Sequence, residues 1–213
     1  MLKIARQRVM EILPGTLTWS FLLIPLFFSF TYPTAVVVFV LFYAVYWFLK
    51  AIIMSYHLVA GFRAYRRAVA TDWQEKLKLL SPLDRWQDLW HVCIIPEYKE
   101  SLATLRGSFD ALASSDYPLE RVMVVLAIEE REGENARRVA RQLGQEFGHQ
   151  FGAFLISEHP QDLPAEVKGK GPNITWAGKE VTKLIRAKRI PPENVIVTTL
   201  DADNRVHKQY LAA

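Results

Sequence analysis

Two long apolar runs open the chain, and a regular alternation of shorter apolar segments follows them. The first long run covers residues 17–30, and the second covers 35–49 and resumes after Lys50 as far as Phe62. Each run approaches the roughly 20 residues that a helix needs to cross a bilayer. The pattern predicts two membrane-spanning helices, at about 15–31 and 34–56, within an N-terminal membrane hairpin over residues 1–62.

A signal peptide and a buried hairpin of a soluble protein are the alternatives to a membrane hairpin. The second apolar run and the lack of a small-residue cleavage site argue against a signal peptide. The total apolar length argues against a soluble hairpin. We therefore expect a multi-pass protein of the plasma (inner) membrane, and the lipid bilayer is its first predicted partner.

The orientation of the hairpin is predicted from its flanking charges. The turn at 31–34 contains no Lys or Arg, whereas basic residues lie outside both runs: Lys3, Arg6 and Arg8 on one side, and Arg63, Arg66 and Arg67 on the other. Short loops rich in Lys and Arg stay on the cytoplasmic side of a membrane. Both ends of the hairpin, and the soluble domain after it, are therefore predicted to be cytosolic.

Residues 63–90 form a predicted juxtamembrane connector that mixes aromatic and basic side chains. It contains Trp73 and Trp86, with basic residues such as Lys76 and Lys78 between them. This combination suits a helix that lies at the membrane interface, and an ordinary connector packed on the following domain fits equally well. Pro82 is predicted to break the connector into two pieces.

From His91 onward the hydrophobic pattern alternates between two periods. Four short apolar runs are typical of buried strands: 92–95, 121–128, 151–156 and 195–200. Between them, apolar residues recur at every third or fourth position, as on one face of a helix: 102–112, 136–147 and 174–185. This order predicts an α/β domain with a parallel sheet and right-handed crossovers. The uninterrupted apolar character of the strands predicts helices on both faces of the sheet.

Composition narrows the class of protein only in part. The chain has 213 residues and a formal net charge of +4, and in its folded half the basic residues are not interleaved with aromatic ones. This distribution argues against a nucleic-acid partner. The single cysteine, Cys93, lies inside an apolar run. A disulfide framework is thus excluded, which agrees with a cytosolic domain.

Acidic residues follow three of the four predicted strands. They are Glu97 and Glu100 after the first, Glu129 and Glu130 after the second, and Asp201 and Asp203 after the fourth. The carboxyl ends of parallel strands meet at one edge, where open α/β sheets bind ligands. With Lys168, Lys170 and Lys179 nearby, this edge suits a nucleoside diphosphate and a divalent cation. A solvated turn, and strand-end acids of an unrelated α/β enzyme, are the alternatives.

Three segments resemble motifs of the inverting family 2 glycosyltransferases. IIPEYKE at 94–100 resembles the family's P-x-Y-N-E strand and loop, KGKGPN at 168–173 its basic glycine-containing loop, and LDADN at 200–204 its D-x-D. Membrane synthases of this family often carry transmembrane helices before the domain. The resemblance covers about 91–213 and implies a GT-A fold, which is a Rossmann-like parallel α/β sheet. Residues 91–213 would be its nucleotide-sugar-binding half.

The resemblance also implies a nucleoside diphosphate sugar as donor, commonly a uridine one, and a set of residues that bind it. The nucleotide-binding set is Pro96, Tyr98, Glu100, Glu129, Glu130, Lys170 and Asp201. The family usually has Asp where Glu129 and Glu130 stand, and Asn where Lys99 stands. The longer Glu side chain moves the carboxylate outward, so the identity of the base stays open. For Glu97, Glu129 and Lys168 a simple surface position is an equal alternative.

In the same resemblance, Asp203 and Asp201 are the ligands of Mg²⁺ or Mn²⁺. The reaction needs this Lewis acid for the leaving diphosphate and a general base for the acceptor hydroxyl. No residue matches the base, which we expect downstream of Ala213, so the chain is expected to be truncated. The expected function is sugar transfer to a polysaccharide or lipid acceptor at the cytosolic face. A membrane-anchored nucleotide-sugar-binding module, or an inactive fragment without the acceptor half, is the alternative.

Overall fold

The computed structural model describes residues 2–80, 85–164, 166 and 169–213, with side chains from Arg8 onward. Contacts divide the chain into an N-terminal unit that ends at Val69 and a second unit, Ala70–Ala213. Pro82 and Lys168, for which the sequence predicts a helix break and a role in the nucleotide loop, lie outside the described residues.

The N-terminal unit consists of two long helices, α1 (Leu2–Phe28) and α2 (Pro33–Ala70). In the turn between them the Tyr32 N–H donates to the carbonyl of Phe28 at 2.7 Å. The second predicted span, 34–56, is only part of α2, because the residues that follow it, such as Arg63 and Ala64, are good helix formers and continue the helix. Residues 63–70 of the predicted connector are likewise helical.

Both helices are long and apolar enough to cross a membrane. The most apolar window of 18 residues has a mean hydropathy of 1.5 within Arg8–Phe28 and of 2.3 within Pro33–Ala70, and none of either window is buried. Phe21 lies against Phe39 and Tyr43, with ring centroids 5.2 and 5.3 Å apart. At 1.5 Å per residue, α2 is about 57 Å long, which exceeds the roughly 30 Å hydrocarbon core of a bilayer.

The second unit begins with a short helix, α3 (Trp73–Lys78), capped by the Asp72 side chain, which accepts from the Glu75 N–H at 3.0 Å. Strands and helices then alternate along the chain: β1 (Trp90–Pro96), α4 (Leu102–Ala113), β2 (Val122–Glu129), α5 (Glu134–Phe147), β3 (Ala153–His159), α6 (Lys170–Ala187) and β4 (Val195–Thr199). The predicted alternation is confirmed, and the predicted bounds differ by a few residues.

Among the strands, the largest difference concerns the third, which was predicted at 151–156 and lies at Ala153–His159. The strand begins only at Ala153, because Gly152 belongs to a tight turn whose N–H donates to the Leu119 carbonyl at 2.9 Å. A Cβ at Gly152 would lie 2.0 Å from the Glu120 carbonyl oxygen. Only glycine fits this close approach of two backbone segments.

The four strands form one parallel sheet in the order β3-β2-β1-β4. Cys93 of β1 pairs with Val124 of β2 on one side and with Thr198 of β4 on the other. The two inner strands are therefore β1 and β2, and all carboxyl ends point to the same edge.

Helices cover both faces of the inner strands, as predicted. On one face, Phe109 of α4 and Leu143 of α5 pack in a core with Val124 of β2. On the other face, Ala177 and Val181 of α6 pack in a core with the odd-numbered residues of β2 and the even-numbered residues of β1. The prediction of an α/β fold with two apolar helices before it is confirmed.

Strand β4 departs from the predicted coverage of both faces. Ile196 is 42% exposed and Val197, which points to the opposite face, is 56% exposed. Helix α6 packs mainly on β1, β2 and β3, and Val195 at the start of β4 packs against the edge of the core that α6 covers. The apolar character of β4 therefore does not correspond to burial within the described chain.

Candidate functional site

A cleft of about 440 Å³ opens at the carboxyl edge of the sheet. It is bordered by the loops after β1, β2 and β4 and by the first turn of α6. Its lining residues are Pro96, Glu97, Tyr98, Glu100, Glu129, Arg131, Gly169, Lys170, Asn173, Asp201, Ala202 and Asp203. The cleft therefore contains residues from all three of the motifs that are recognisable in the sequence.

One residue of the predicted nucleotide-binding and metal-binding set stands apart from the cleft lining. Glu130 is exposed, and its carboxylate accepts from the Gln161 N–H at 2.8 Å. The structure thus places Glu130 towards the loop after β3 and brings the rest of the predicted set together.

The loop after β1 is held by a buried acid. Glu97 is 4% exposed, and its Oε1 accepts from the Glu100 N–H at 2.9 Å. Burial, opposed by this hydrogen bond and reinforced by the nearby Glu132 carboxyl, raises the pKa of Glu97 to about 7. Lys99 completes the turn with a φ of 61°, in the left-handed region that few side chains adopt. Glu97 is therefore not a surface residue.

The loop after β2 carries a cation that sequence reasoning missed. The Nε of Arg131 pairs with the carboxylate of Glu129, which is 6% exposed. The guanidinium also lies 4.3 Å from the ring centroid of Tyr98. Arg131 therefore joins the loops after β1 and β2. The available signal was a single arginine two residues beyond a strand-end acid.

The first turn of α6 supplies the basic side of the cleft. Lys170 is the first residue of the helix, and its ammonium pairs with the Asp201 carboxylate. Asn173 is 1% exposed and donates to the Ala127 carbonyl at 2.9 Å, which ties α6 to β2. Backbone N–H groups in the first turn of a helix have no intrahelical acceptor and attract anions. This turn is thus suited to a phosphate group.

The segment after β4 presents two carboxylates to the cleft. Asp201 and Asp203 are exposed, whereas Ala202 between them is buried. The Ser108 hydroxyl of α4 donates to the Ala202 carbonyl at 2.7 Å inside the core. Because this hydrogen bond holds Ala202 in the core, the side chains of Asp201 and Asp203 point outward.

The carboxylates of the cleft are the possible ligands of a divalent cation. Among the described residues, no group of three His, Cys, Asp or Glu side chains could hold a metal ion. Two carboxylates, Asp201 and Asp203, nevertheless line the cleft together. Mg²⁺ commonly binds one or two protein carboxylates and takes its other oxygens from substrate phosphates and water. The residues fit a cation shared with a phosphate ligand.

Comparisons with known proteins leave the family open. No family model matches the chain, and no curated protein matches it. Among solved structures, the crystal structure of S. aureus TarS is similar with a TM-score of 0.34 and 16% sequence identity, over 58% of this chain and 18% of that one. The chain thus spans less than a fifth of the TarS chain, and the likeness is too low to assign a function.

Proposed function

We propose that the chain is a membrane-bound glycosyltransferase. It transfers a sugar from a nucleoside diphosphate sugar, with uridine as the expected nucleoside, to a polysaccharide or lipid acceptor at the cytosolic face. The observation that supports the proposal best is that residues from three separate sequence motifs line one cleft at the carboxyl edge of the sheet. The volume of this cleft, about 440 Å³, lies within the range of small-ligand sites.

The nucleoside diphosphate binds, in this proposal, with its phosphates towards α6. The Lys170 ammonium neutralises phosphate charge, and the backbone N–H groups of Lys170 and Gly171 donate to the phosphate oxygens, since Pro172 has no N–H and the Asn173 N–H donates to the Gly169 carbonyl. Glu100 is exposed at the opposite loop, and its carboxylate accepts hydrogen bonds from the nucleoside. Tyr98 and Glu129, held together by Arg131, form the wall between them.

Asp203 and Asp201 hold Mg²⁺ or Mn²⁺ in this proposal. Asp203 is the main ligand, because Lys170 already pairs with Asp201. When bound, the cation stabilises the charge that develops on the leaving diphosphate. Without it, the carboxylates repel the anionic nucleotide, so metal and nucleotide strengthen each other's binding reciprocally.

The test is calorimetric titration of the full chain in detergent micelles with UDP, GDP and ADP, each with and without Mn²⁺. We expect Mn²⁺ to strengthen the binding of one of these nucleotides by about tenfold or more. Asp203→Asn removes most of this gain and leaves metal-free binding equal or slightly stronger, because repulsion falls. Asp201→Asn acts in the same direction more weakly.

The matched control is Asp110→Asn, which changes an exposed aspartate on α4 outside the cleft lining and is expected to behave as the parent. If no nucleotide binds the parent, the proposed donor site is wrong. If nucleotide binds but Asp203→Asn keeps the full effect of Mn²⁺, the metal assignment is wrong.

Catalysis is tested separately from binding. The chain in lipid nanodiscs is incubated with the sugar derivative of whichever nucleotide binds, and release of the free diphosphate is followed with and without added membrane extract as acceptor. Release that depends on Asp203 supports the transferase. Tight binding without release favours the alternative, a membrane-anchored nucleotide-sugar-binding module or an inactive fragment without the acceptor half.

The membrane topology has its own test. Arg63 and Arg66 lie near the C-terminal end of α2, and the turn between the helices carries no basic residue. A reporter fused after Ala70 is therefore expected to be cytoplasmic, and one inserted at 31–34 external. The reverse result would separate the cleft from cytosolic nucleotide sugars and contradict the proposed function.

A further inference from the structure

Two glutamates from different loops meet beneath the turn that follows β1. Glu97 ends the ladder of β1, with its N–H donating to the Ala127 carbonyl at 2.9 Å. Glu132 lies in the single helical turn after β2. Their carboxyl groups accept from two consecutive backbone N–H groups, those of Glu100 and Lys99, which brings the two side chains together. Neither side chain belongs to the residues proposed to bind the nucleotide or the metal ion.

Each glutamate also binds the backbone of the same turn. Glu97 Oε1 accepts from the Glu100 N–H at 2.9 Å, and Glu132 Oε2 accepts from the Lys99 N–H at 2.7 Å. Two consecutive N–H groups are thus held by two carboxyl groups. The positive φ of Lys99 makes this turn one that needs such support, because a non-glycine residue in that conformation is strained.

The second oxygen of each carboxyl group is left without a donor. Glu97 Oε2 and Glu132 Oε1 are buried, and no donor group among the described residues reaches either atom. A buried acceptor without a hydrogen bond destabilises the fold, because it has lost its water and gained no donor in return. One proton placed between these two oxygens would satisfy both at once, since a protonated carboxyl group is a donor.

We infer that Glu97 and Glu132 share one proton and act together as a clasp on the turn 98–100, which makes Glu132 a positioning residue for the nucleotide cleft. Loss of the proton leaves two adjacent carboxylates, which repel each other and add a negative charge beside an anionic ligand. The turn then opens, and Tyr98 and Glu100 leave their places in the lining of the cleft.

Several charged groups surround this pair, and they bear on its titration. They are Lys99 and Glu100 on the turn itself, Glu129 and Arg131 after β2, Lys170 on α6, and Asp201 and Asp203 after β4. Acids outnumber cations, and both cations nearest the acids, Arg131 and Lys170, already pair with other carboxylates. The surroundings therefore favour retention of the shared proton.

The direction of the pH effect follows from the raised pKa of Glu97, about 7 in the folded chain. A raised pKa means that the clasp is complete below pH 7 and is lost as the pH rises through that value. The inference rests on the proposed function only where it concerns nucleotide affinity. The turn itself reports on the proton without any ligand.

The first measurement is hydrogen exchange at the Lys99 and Glu100 amides, made on the full chain in micelles. Each exchange rate is expressed as a protection factor, that is, relative to the intrinsic exchange rate at the same pH. In the parent, protection falls between pH 6 and pH 8. Glu132→Gln keeps a donor and an acceptor but cannot ionise, so its protection stays at the low-pH level. Glu132→Ala leaves the Lys99 N–H exposed to exchange at every pH.

The matched control is Glu134→Gln. Glu134 lies two residues further on, is 69% exposed, and pairs with Arg137 and Arg141 on α5. Its variant is expected to keep the pH profile of the parent. Protection that does not change with pH in the parent, or that changes equally in Glu132→Gln, would overturn the clasp.

The second measurement is affinity for UDP-glucose in the presence of Mg²⁺, because the phosphates of this ligand do not titrate between pH 6 and pH 8. We expect affinity to fall about tenfold over this range in the parent and Glu134→Gln, and to stay level in Glu132→Gln. If Glu132 had a purely structural role, Glu132→Gln would instead lower the affinity for UDP-glucose by the same factor at every pH. If UDP-glucose does not bind at any pH in this range, UDP-glucose is not the donor, and amide exchange alone decides on the clasp.

Discussion

The acids at the ends of the inner strands and the acids after the edge strand line the same cleft in opposite environments. Glu97 and Glu129 are 4% and 6% exposed, and each is held by a protein partner. Asp201 and Asp203 are exposed. The inner side of the cleft is therefore held by buried contacts within the protein, whereas the outer side is exposed and its Asp201 pairs only with Lys170 at the surface.

The difference originates in the position of the strands within the sheet. Strands β1 and β2 have a neighbour on each side and helices on both faces, so every residue of β2 is buried. Strand β4 has one neighbour, and its middle residues are exposed on both faces. The acid at the end of each inner strand shares the buried surroundings of that strand, whereas the two aspartates after the edge strand meet solvent.

The largest expected contrast is between alanine substitutions in the buried strand β2 and in the edge strand β4. Val124→Ala on β2 opens a cavity in the core and lowers the free energy of unfolding by about 2 kcal/mol. Val197→Ala on β4 removes a side chain that is 56% exposed and costs less than about 1 kcal/mol. Urea denaturation followed by circular dichroism compares the two. Equal losses would contradict the open edge and indicate that β4 is covered in solution.

The next contrast concerns the two cations of the cleft. Arg131→Met leaves the buried Glu129 carboxylate without its partner, so the denaturation midpoint is expected to fall clearly. Lys170→Met removes the partner of Asp201, which is 57% exposed, and exposed ion pairs contribute little to stability. The midpoint of Lys170→Met is therefore expected to match the parent. The opposite ranking would show that the buried and exposed acids do not differ as described.

The smallest expected effect is in two strained turns, one after β1 and one before β4. Lys99 has a φ of 61° and Arg189 a φ of 54°. Asn tolerates this conformation better than Lys or Arg, so Arg189→Asn is expected to raise the free energy of unfolding by about 0.5 kcal/mol. Lys99→Asn gains less, because its ammonium also lies 5.1 Å from the Tyr98 ring centroid. Thermal denaturation of both variants tests this, and losses at both positions would rule out strain.

Much of the fold was predictable because its signals are local. The period of apolar residues changes from strand-like to helical between 92–95 and 102–112, and the structure places β1 and α4 there. The bounds were less predictable. Helix α2 runs through Lys50 to Ala70, and β3 starts late because of the backbone contact at Gly152. Both differences depend on contacts or tolerances that a hydrophobic pattern does not contain.

The sequence predicted most of the residues that line the cleft, but not which of them are buried or paired. Strand-end acids and three motifs located most of its lining. Arg131 and Glu132 were missed, since each acts on a residue of another loop, Tyr98 and Lys99 respectively. Sequence reasoning could not distinguish a buried Glu97 from a surface one, because its burial depends on how closely the loops after β1 and β2 approach.

The sequence by itself determined the two apolar helices, the β/α alternation and the meeting of acidic and basic residues at one edge of a parallel sheet. These follow from periodicity and from the direction of the strands, which are properties of consecutive residues. Only the tertiary structure decided that β4 is open, that Glu97 and Glu132 meet, and that Arg131 binds Glu129. Burial and pairing depend on which segments become neighbours in space, and that is a property of the whole domain.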